Sequence, residues 1–194
     1  MKMILKILFL SVILIYGCDI FETRDPEEPD RSRSNYETPS EPQIVIQNLQ
    51  NAFSDRNSDN YKKNFALGPP LVNRIFSFLP TSLALSSDPA LWANWNVDNE
   101  FRYFNNLVTR VPEGLPITLL LSEEQYSPSI DSTIYTAKYF ISIPNLTGDP
   151  EIYEGSLKFN MITDNQLAWV IHYWEDISKE SSNSWSDLKI ANNP

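Results

Sequence analysis

Apolar residues occupy every second position in three segments of the second half of the chain, and this alternation constrains the fold more than any other feature. The segments span residues 117–121, 135–143 and 153–161. A period of two places neighbouring side chains on opposite faces, which is typical of a strand with one buried face. A fourth segment, Leu167 to Trp174, is apolar on both faces, as a doubly covered strand would be. Consecutive strands with short links predict an antiparallel meander.

The residues before the strands carry helical patterns instead. Val45 and Leu49 recur at helical spacing after Pro42, which suits a first helical turn. A short helix, a strand at residues 75–79 and a further helix capped by Asp98 are predicted to follow. Helices first and long strands afterwards indicate an α+β fold.

The last predicted strand contains Trp169-Val170-Ile171, and Trp174 follows three residues later. This strand and the order of the elements resemble the nuclear transport factor 2-like superfamily, which includes the SnoaL-like polyketide cyclases and the ketosteroid isomerases. The resemblance covers residues 42–177 and implies a cone-shaped domain. In such a cone, N-terminal helices pack on a curved, mainly antiparallel sheet, and a pocket lies at the wide end.

The N-terminus has the three parts of a secretory signal. A basic start with Lys2 and Lys6 precedes the apolar run from Ile7 to Ile15, which is shorter than the roughly 20 residues that span a bilayer. Gly17 and Cys18 follow, and this string resembles the lipobox of bacterial lipoproteins. The resemblance implies that residues 1–17 are removed and that Cys18 is lipidated. The expected location is the bacterial cell envelope, with the chain anchored to the membrane by lipid and facing the periplasm or the exterior.

Two further segments flank the predicted domain. Residues 18–41, the lipidated cysteine and an acidic, proline-interrupted stretch, have no apolar period and are predicted to form a disordered tether. Residues 178–194 are predicted to be a polar C-terminal tail, in which Trp185, Leu188 and Ile190 could dock locally.

Composition excludes several classes of function. The net charge of −10 disfavours nucleic acid as a partner. Cys18 and His172 are the single cysteine and the single histidine, so a Cys–His pair or a multi-histidine metal site is not expected. Strand alternation places His172 on the face of Val170 and Trp174, and it is predicted to be a structural or surface histidine. We expect no metal and no cofactor.

Adjacent carboxylates do not form an obvious acid–base pair. Glu123-Glu124 and Glu175-Asp176 are neighbours in sequence, so within a strand their side chains point to opposite faces. They are predicted to be solvated ends of loops, and no catalytic residue is predicted.

Aromatic residues are the best candidates for a ligand pocket. They could line the cone or simply fill the core, since apolar pockets and apolar cores share one composition. The candidates are Phe76, Trp92, Tyr103, Tyr139, Trp169 and Tyr173.

The sequence therefore favours a lipid-anchored envelope protein with a non-catalytic binding or assembly module, whose partner would be an envelope protein or a small apolar ligand. The alternative is an isomerase-like or dehydratase-like enzyme acting on a small hydrophobic molecule. That enzyme would need a carboxylate beside a tyrosine inside the cone. A purely structural subunit would instead expose an apolar patch on the outer face of the sheet.

Overall fold

The computed structural model describes residues 35–69, 71–146, 148–179 and 182–193. The predicted signal peptide, Cys18 and the predicted tether up to residue 34 lie outside the described residues. Within the described part of the chain, no helix has the length and apolar character needed to cross a bilayer.

Most of the described helices precede the four long strands, and local capping explains where they begin. Asn57 caps the second helix by accepting a hydrogen bond from the Asn60 N–H. The longest described helix is capped by Asn96, which forms a capping box with Asn99, and not by Asp98 as predicted. The described helices are α1 (Pro42–Ser54), α2 (Ser58–Lys62), α3 (Ser82–Ser87), α4 (Pro89–Trp92), α5 (Val97–Arg110) and α6 (Trp185–Ala191).

The strands form one curved sheet in the order β1-β5-β4-β3-β2. β1 pairs in parallel with β5, and the other neighbours are antiparallel. The α+β fold with a mainly antiparallel sheet is therefore confirmed. The strands are β1 (Ser77–Leu79), β2 (Thr118–Pro128), β3 (Ser132–Ile143), β4 (Glu151–Thr163) and β5 (Trp169–Ser178).

The predicted alternation sets the inner face of the sheet. Tyr135 pairs with Phe159, which pairs with Trp174, and all three side chains are buried. The helices cover this inner face. Phe53 of α1 and Phe104 of α5 meet above it, with ring centroids 4.8 Å apart. The core thus lies between the helices and the sheet.

A bulge in β5 overturns the predicted orientation of His172. Asn160 pairs with Tyr173 while the next residue, Met161, pairs with Ile171, so His172 is an extra residue in the strand. Its ring is half-buried, and Nε2 lies 3.3 Å from Nη1 of Arg74. Burial and the nearby guanidinium of Arg74 lower the pKa of His172.

The ordered domain extends beyond both predicted boundaries. Residues 35–41, which the sequence placed in the tether, attach to the helices and the sheet. The Asn48 side chain exchanges hydrogen bonds of 2.9 and 2.6 Å with the backbone of Glu37, and the Trp169 N–H donates to the Pro39 carbonyl over 2.8 Å. At the other end, the predicted polar tail contains α6, in which Trp185 and Leu188 are fully buried.

The N-terminal attachment gives a first prediction. A chain that starts at Pro42 loses these three hydrogen bonds, each worth about 1 kcal/mol, and also those that Asn35 forms with Asp55 and Asn51. We expect its melting temperature to fall by several degrees relative to a chain that starts at Asn35, as measured by circular dichroism. Equal melting temperatures for the two truncated chains would contradict this packing.

Candidate functional site

The interior of the cone is occupied by the C-terminal helix. Trp185 of α6 is fully buried, and its indole contacts Trp174 of β5 edge-to-face, with ring centroids 4.6 Å apart. Tyr139 of β3 and Phe53 of α1 pack on the same indole, at 5.1 and 5.5 Å. The Trp185 side chain of α6 therefore occupies the region where the resemblance implies a pocket.

A buried ion pair lies beside this indole. Lys189 of α6 and Glu100 of α5 are both fully buried, and the Lys189 ammonium donates to Glu100 Oε1. Glu100 accepts two more hydrogen bonds, one from Trp95 Nε1 at 2.6 Å and one from the Tyr61 hydroxyl at 2.9 Å. The acid is thus held by donors from three separate segments.

Four aromatic rings enclose the Lys189 ammonium. Its Nζ atom lies 3.3 Å from the ring centroid of Phe78 and 3.5 Å from that of Trp174. The rings of Trp95 and Tyr103 follow, each at 5.5 Å. Cation–π attraction and the Glu100 carboxylate therefore both offset the cost of removing this ammonium from water. We call Glu100 and these four rings the ammonium cage.

A second buried carboxylate belongs to Asp176 of β5. It accepts from the Tyr139 hydroxyl at 2.7 Å, and from the N–H and hydroxyl of Ser186 at 2.7 and 2.6 Å. The Tyr139 oxygen also accepts from the Trp185 N–H at 2.7 Å. The prediction that Asp176 is solvated is wrong, because the strand turns this side chain toward α6, leaving it 3% exposed.

Burial shifts the pKa values of these groups. It lowers the pKa of Lys189 to about 8, and the charge of Glu100 offsets only part of that effect. It raises the pKa of Asp176, although the Ser186 and Tyr139 donors oppose the change. Burial and the nearby carboxylates also raise the pKa values of Tyr61, Tyr103 and Tyr139.

The buried phenols predict an alkaline limit to stability. A pKa that is raised in the folded state stabilises it below the ordinary tyrosine value of about 10, and this contribution is lost as the pH rises above that value. Lys189 has a lowered pKa, so its contribution to the stability of the folded state increases as the pH rises from about 8 to 10.5. We therefore expect the free energy of unfolding in urea to fall between about pH 10.5 and 12.

Substitution of one phenol supplies the control for this alkaline effect. A Tyr61→Phe variant should lose less stability than the wild type over the same interval of pH. An equal loss in the two proteins would show that Tyr61 ionises normally.

The six predicted pocket residues lie in different environments. Tyr103 and Tyr139 lie in the polar network of the cone. Phe76 and Trp92 are buried in the core, where Phe76 packs on Phe65 and the Trp92 indole donates to the Ala84 carbonyl. Trp169 and Tyr173 are only half-buried. Tyr173 lies on the face opposite Trp174.

The sequence analysis missed the burial of both carboxylates and of Lys189, and it expected no more than local docking of Trp185. One signal was present: Glu100 lies on the same helical face as Phe104 and Leu107, so an acid stands within an apolar stripe. Trp185 and Lys189 are likewise one helical turn apart. Among the described residues, no group of three or more His, Cys, Asp and Glu side chains could hold a metal ion.

Comparison with known proteins identifies the fold. No protein-family model matches the chain, and no curated protein matches its sequence. Among solved structures, an NTF2-like superfamily protein from Salmonella enterica serovar Typhimurium matches 71% of this chain and 89% of its own, with a TM-score of 0.53 and 9% identity. A candidate aromatic ring hydroxylase from Novosphingobium aromaticivorans matches 75% and 92%, with a TM-score of 0.54 and 13% identity.

A third solved structure agrees with these two. It is a candidate dehydratase of the NTF2-like family from Streptomyces avermitilis, matched over 69% of this chain and 89% of its own, with a TM-score of 0.51 and 11% identity. At such low identity the likeness establishes the fold alone. The chain has the NTF2-like cone fold, in which helices pack on a curved five-stranded mixed sheet.

Proposed function

We propose that this chain is a lipid-anchored protein of the bacterial envelope whose cone domain binds a partner without catalysing a reaction. One observation carries the non-catalytic part of the proposal: α6 fills the cone. Trp185 and Lys189 are fully buried there, in the region where the resemblance implies a pocket.

The state of the carboxylates supports the same conclusion. A general acid or base must reach a substrate atom within hydrogen-bond distance. Glu100 is engaged by Lys189, Trp95 and Tyr61, and Asp176 is engaged by Tyr139 and Ser186. These partners leave both acids occupied by the chain itself.

An enzyme of the isomerase or dehydratase type is the second candidate, and a specific observation favours it. A carboxylate stands beside a tyrosine inside the cone at two places, Glu100 with Tyr61 at 2.9 Å and Asp176 with Tyr139 at 2.7 Å. Catalysis would require α6 to leave, so that a substrate could take its place.

The outer face of the sheet offers a surface for a partner protein. Leu120 is 55% exposed and pairs across the strands with Phe140, which is half-buried. Ile152 follows diagonally on β4. These three apolar side chains form what we call the outer patch. Apolar side chains grouped on an exposed sheet are typical of interaction surfaces.

The binding function is tested by photo-crosslinking in intact envelopes. A photoreactive residue at Leu120 should give an adduct of defined mass, and the same residue at Leu167, an exposed loop position, should not. Phe140→Lys should remove the adduct. The double variant Glu100→Gln, Lys189→Met should retain it, because it changes only the cone. Loss of the adduct in this folded double variant would show that partner binding depends on the cone and not on the outer patch alone.

Lipid anchoring is tested separately by replacing Cys18. Each buried acyl methylene contributes about 0.8 kcal/mol, so two or three acyl chains hold a protein stably at a membrane. Wild-type protein should therefore partition into the detergent phase and the Cys18→Ser variant into the aqueous phase. Retention of the variant in the detergent phase would contradict the anchor.

A further inference from the structure

We propose that the ammonium cage is a binding site for primary alkylammonium ligands, and that Lys189 is its internal occupant, which such a ligand displaces. This site lies inside the cone and is distinct from the outer patch. In the structure, the Lys189 ammonium stands in for the ammonium of the ligand, and its methylene chain stands in for the ligand's stem.

The cage is assembled without α6. Phe78 comes from β1, Trp174 from β5, and Glu100 and Tyr103 from α5, while Trp95 precedes α5. The carboxylate keeps its orientation through Trp95 and Tyr61, neither of which belongs to α6. The receptor is therefore preorganised by the body of the domain, and only the occupant comes from the C-terminal helix.

The chemistry of the cage selects a cation. Aromatic faces at 3.3 and 3.5 Å from the nitrogen attract a positive charge, and a desolvated cation gains most from them. The Glu100 oxygen accepts a charge-assisted N–H bond. A core that needed only packing would be served equally well by an apolar side chain of similar volume, since buried ion pairs seldom stabilise a fold relative to that replacement.

The surroundings restrict the rest of the ligand to an apolar stem. Next to the cage lies Trp185, whose indole is packed between Phe53, Tyr139 and Trp174. These rings favour an apolar stem, because a polar group without a partner is costly to bury. The net charge of −10 attracts alkylammonium cations to the protein.

Displacement requires the release of one short helix. α6 has seven residues, and besides its buried side chains it is held by Ser186 on Asp176 and by Trp185, whose N–H donates to the Tyr139 oxygen and whose indole N–H donates to the Tyr103 oxygen. Asn192, just beyond the helix, accepts from Arg110 at 2.7 Å. Segments of a native protein open locally at a lower free energy than the whole domain. An amine that takes the place of Lys189 would therefore compete with the contacts of α6, and opening of this helix would also weaken the domain.

The test is chemical rescue in the full chain. Lys189→Ala removes the ammonium and three methylenes, which together correspond to n-propylammonium. Added n-propylammonium chloride should raise the melting temperature of this variant along a saturable curve. The same concentrations of 1-propanol and of potassium chloride control for the apolar stem and for ionic strength, and neither should reproduce the rise. Wild-type protein should bind the amine at least tenfold more weakly, because Lys189 occupies the cage.

A second substitution identifies the carboxylate as the partner. Glu100→Gln added to Lys189→Ala should reduce the affinity for n-propylammonium at least tenfold. If Lys189→Ala does not fold alone, refolding in the presence of the amine should recover it. The proposal is overturned if the variant folds under neither condition, or if 1-propanol stabilises it as well as the amine.

Displacement of α6 is measured on wild-type protein. Saturating n-butylammonium, which matches the Lys189 side chain, should increase the rate at which a carboxypeptidase removes residues beyond 184. 1-Butanol at the same concentration serves as the control. An unchanged rate in the presence of the amine would show that α6 is a fixed part of the core and would overturn the proposed competition.

Discussion

Replacing Glu100 by glutamine should lower the free energy of unfolding by about 3–5 kcal/mol at pH 6. The change leaves the Lys189 ammonium fully buried without an anionic partner, and removing one member of a buried pair exposes the full desolvation cost of the other. pH 6 lies well below the lowered pKa of about 8, so Lys189 is charged in the wild-type protein. Urea unfolding followed by circular dichroism measures the loss.

Two controls isolate the charge from the shape of the side chain. The double variant Glu100→Gln, Lys189→Met should recover most of the lost stability, because an apolar side chain of similar length replaces the unpaired charge. Asp98→Asn breaks the ion pair between Asp98 and Lys62, in which the Asp98 side chain is 76% exposed. This substitution should lower the free energy of unfolding by less than about 1 kcal/mol. A loss for Glu100→Gln as small as that for Asp98→Asn would show that Glu100 is solvated.

The sheet could be predicted from the sequence because its signal is local. Apolar and polar residues alternate within each strand. The register then follows from which face is apolar, as the pairing of Tyr135 with Phe159 illustrates. The order of helices and strands then restricts the fold to a few arrangements. For the same reason the bulge at His172 was missed, since a bulge interrupts the alternation on which the prediction rested.

The occupied cone could not be predicted because its contacts are long-range. Glu100 and Lys189 are 89 residues apart in sequence, and neither carries a local signal of its partner. α6 lies in a polar segment with few apolar residues, which by composition alone indicates a tail. Its burial depends on Asp176 and Tyr139, which supply partners for its backbone and hydroxyl groups.

The pairing of α6 with the cone has a consequence for how the domain functions. Trp185 and Lys189 fill the site, and the same two side chains complete the core. Loss of α6 would therefore both open the cone and weaken the domain. A ligand that displaced α6 would have to restore the contacts that the indole and the ammonium supply. Stability and access to the cone are linked through this one helix.

Trp185→Ala should consequently destabilise the domain by about 3–5 kcal/mol, the usual cost of truncating a large buried aromatic side chain. The substitution removes edge-to-face contacts with Trp174 and Phe53, and it leaves the Tyr103 hydroxyl without the indole N–H that lies 2.8 Å away. Urea unfolding at neutral pH provides the measurement.

Trp169→Ala is the matched control, because it removes the same side chain from a half-buried position at the start of β5. Its cost should be clearly smaller, since less apolar surface is returned to water and a smaller cavity forms. If Trp185→Ala costs no more than Trp169→Ala, then residues 178–194 behave as the polar tail that the sequence indicates, and α6 does not fill the cone in solution. A larger loss for Trp185→Ala establishes the helix as part of the core.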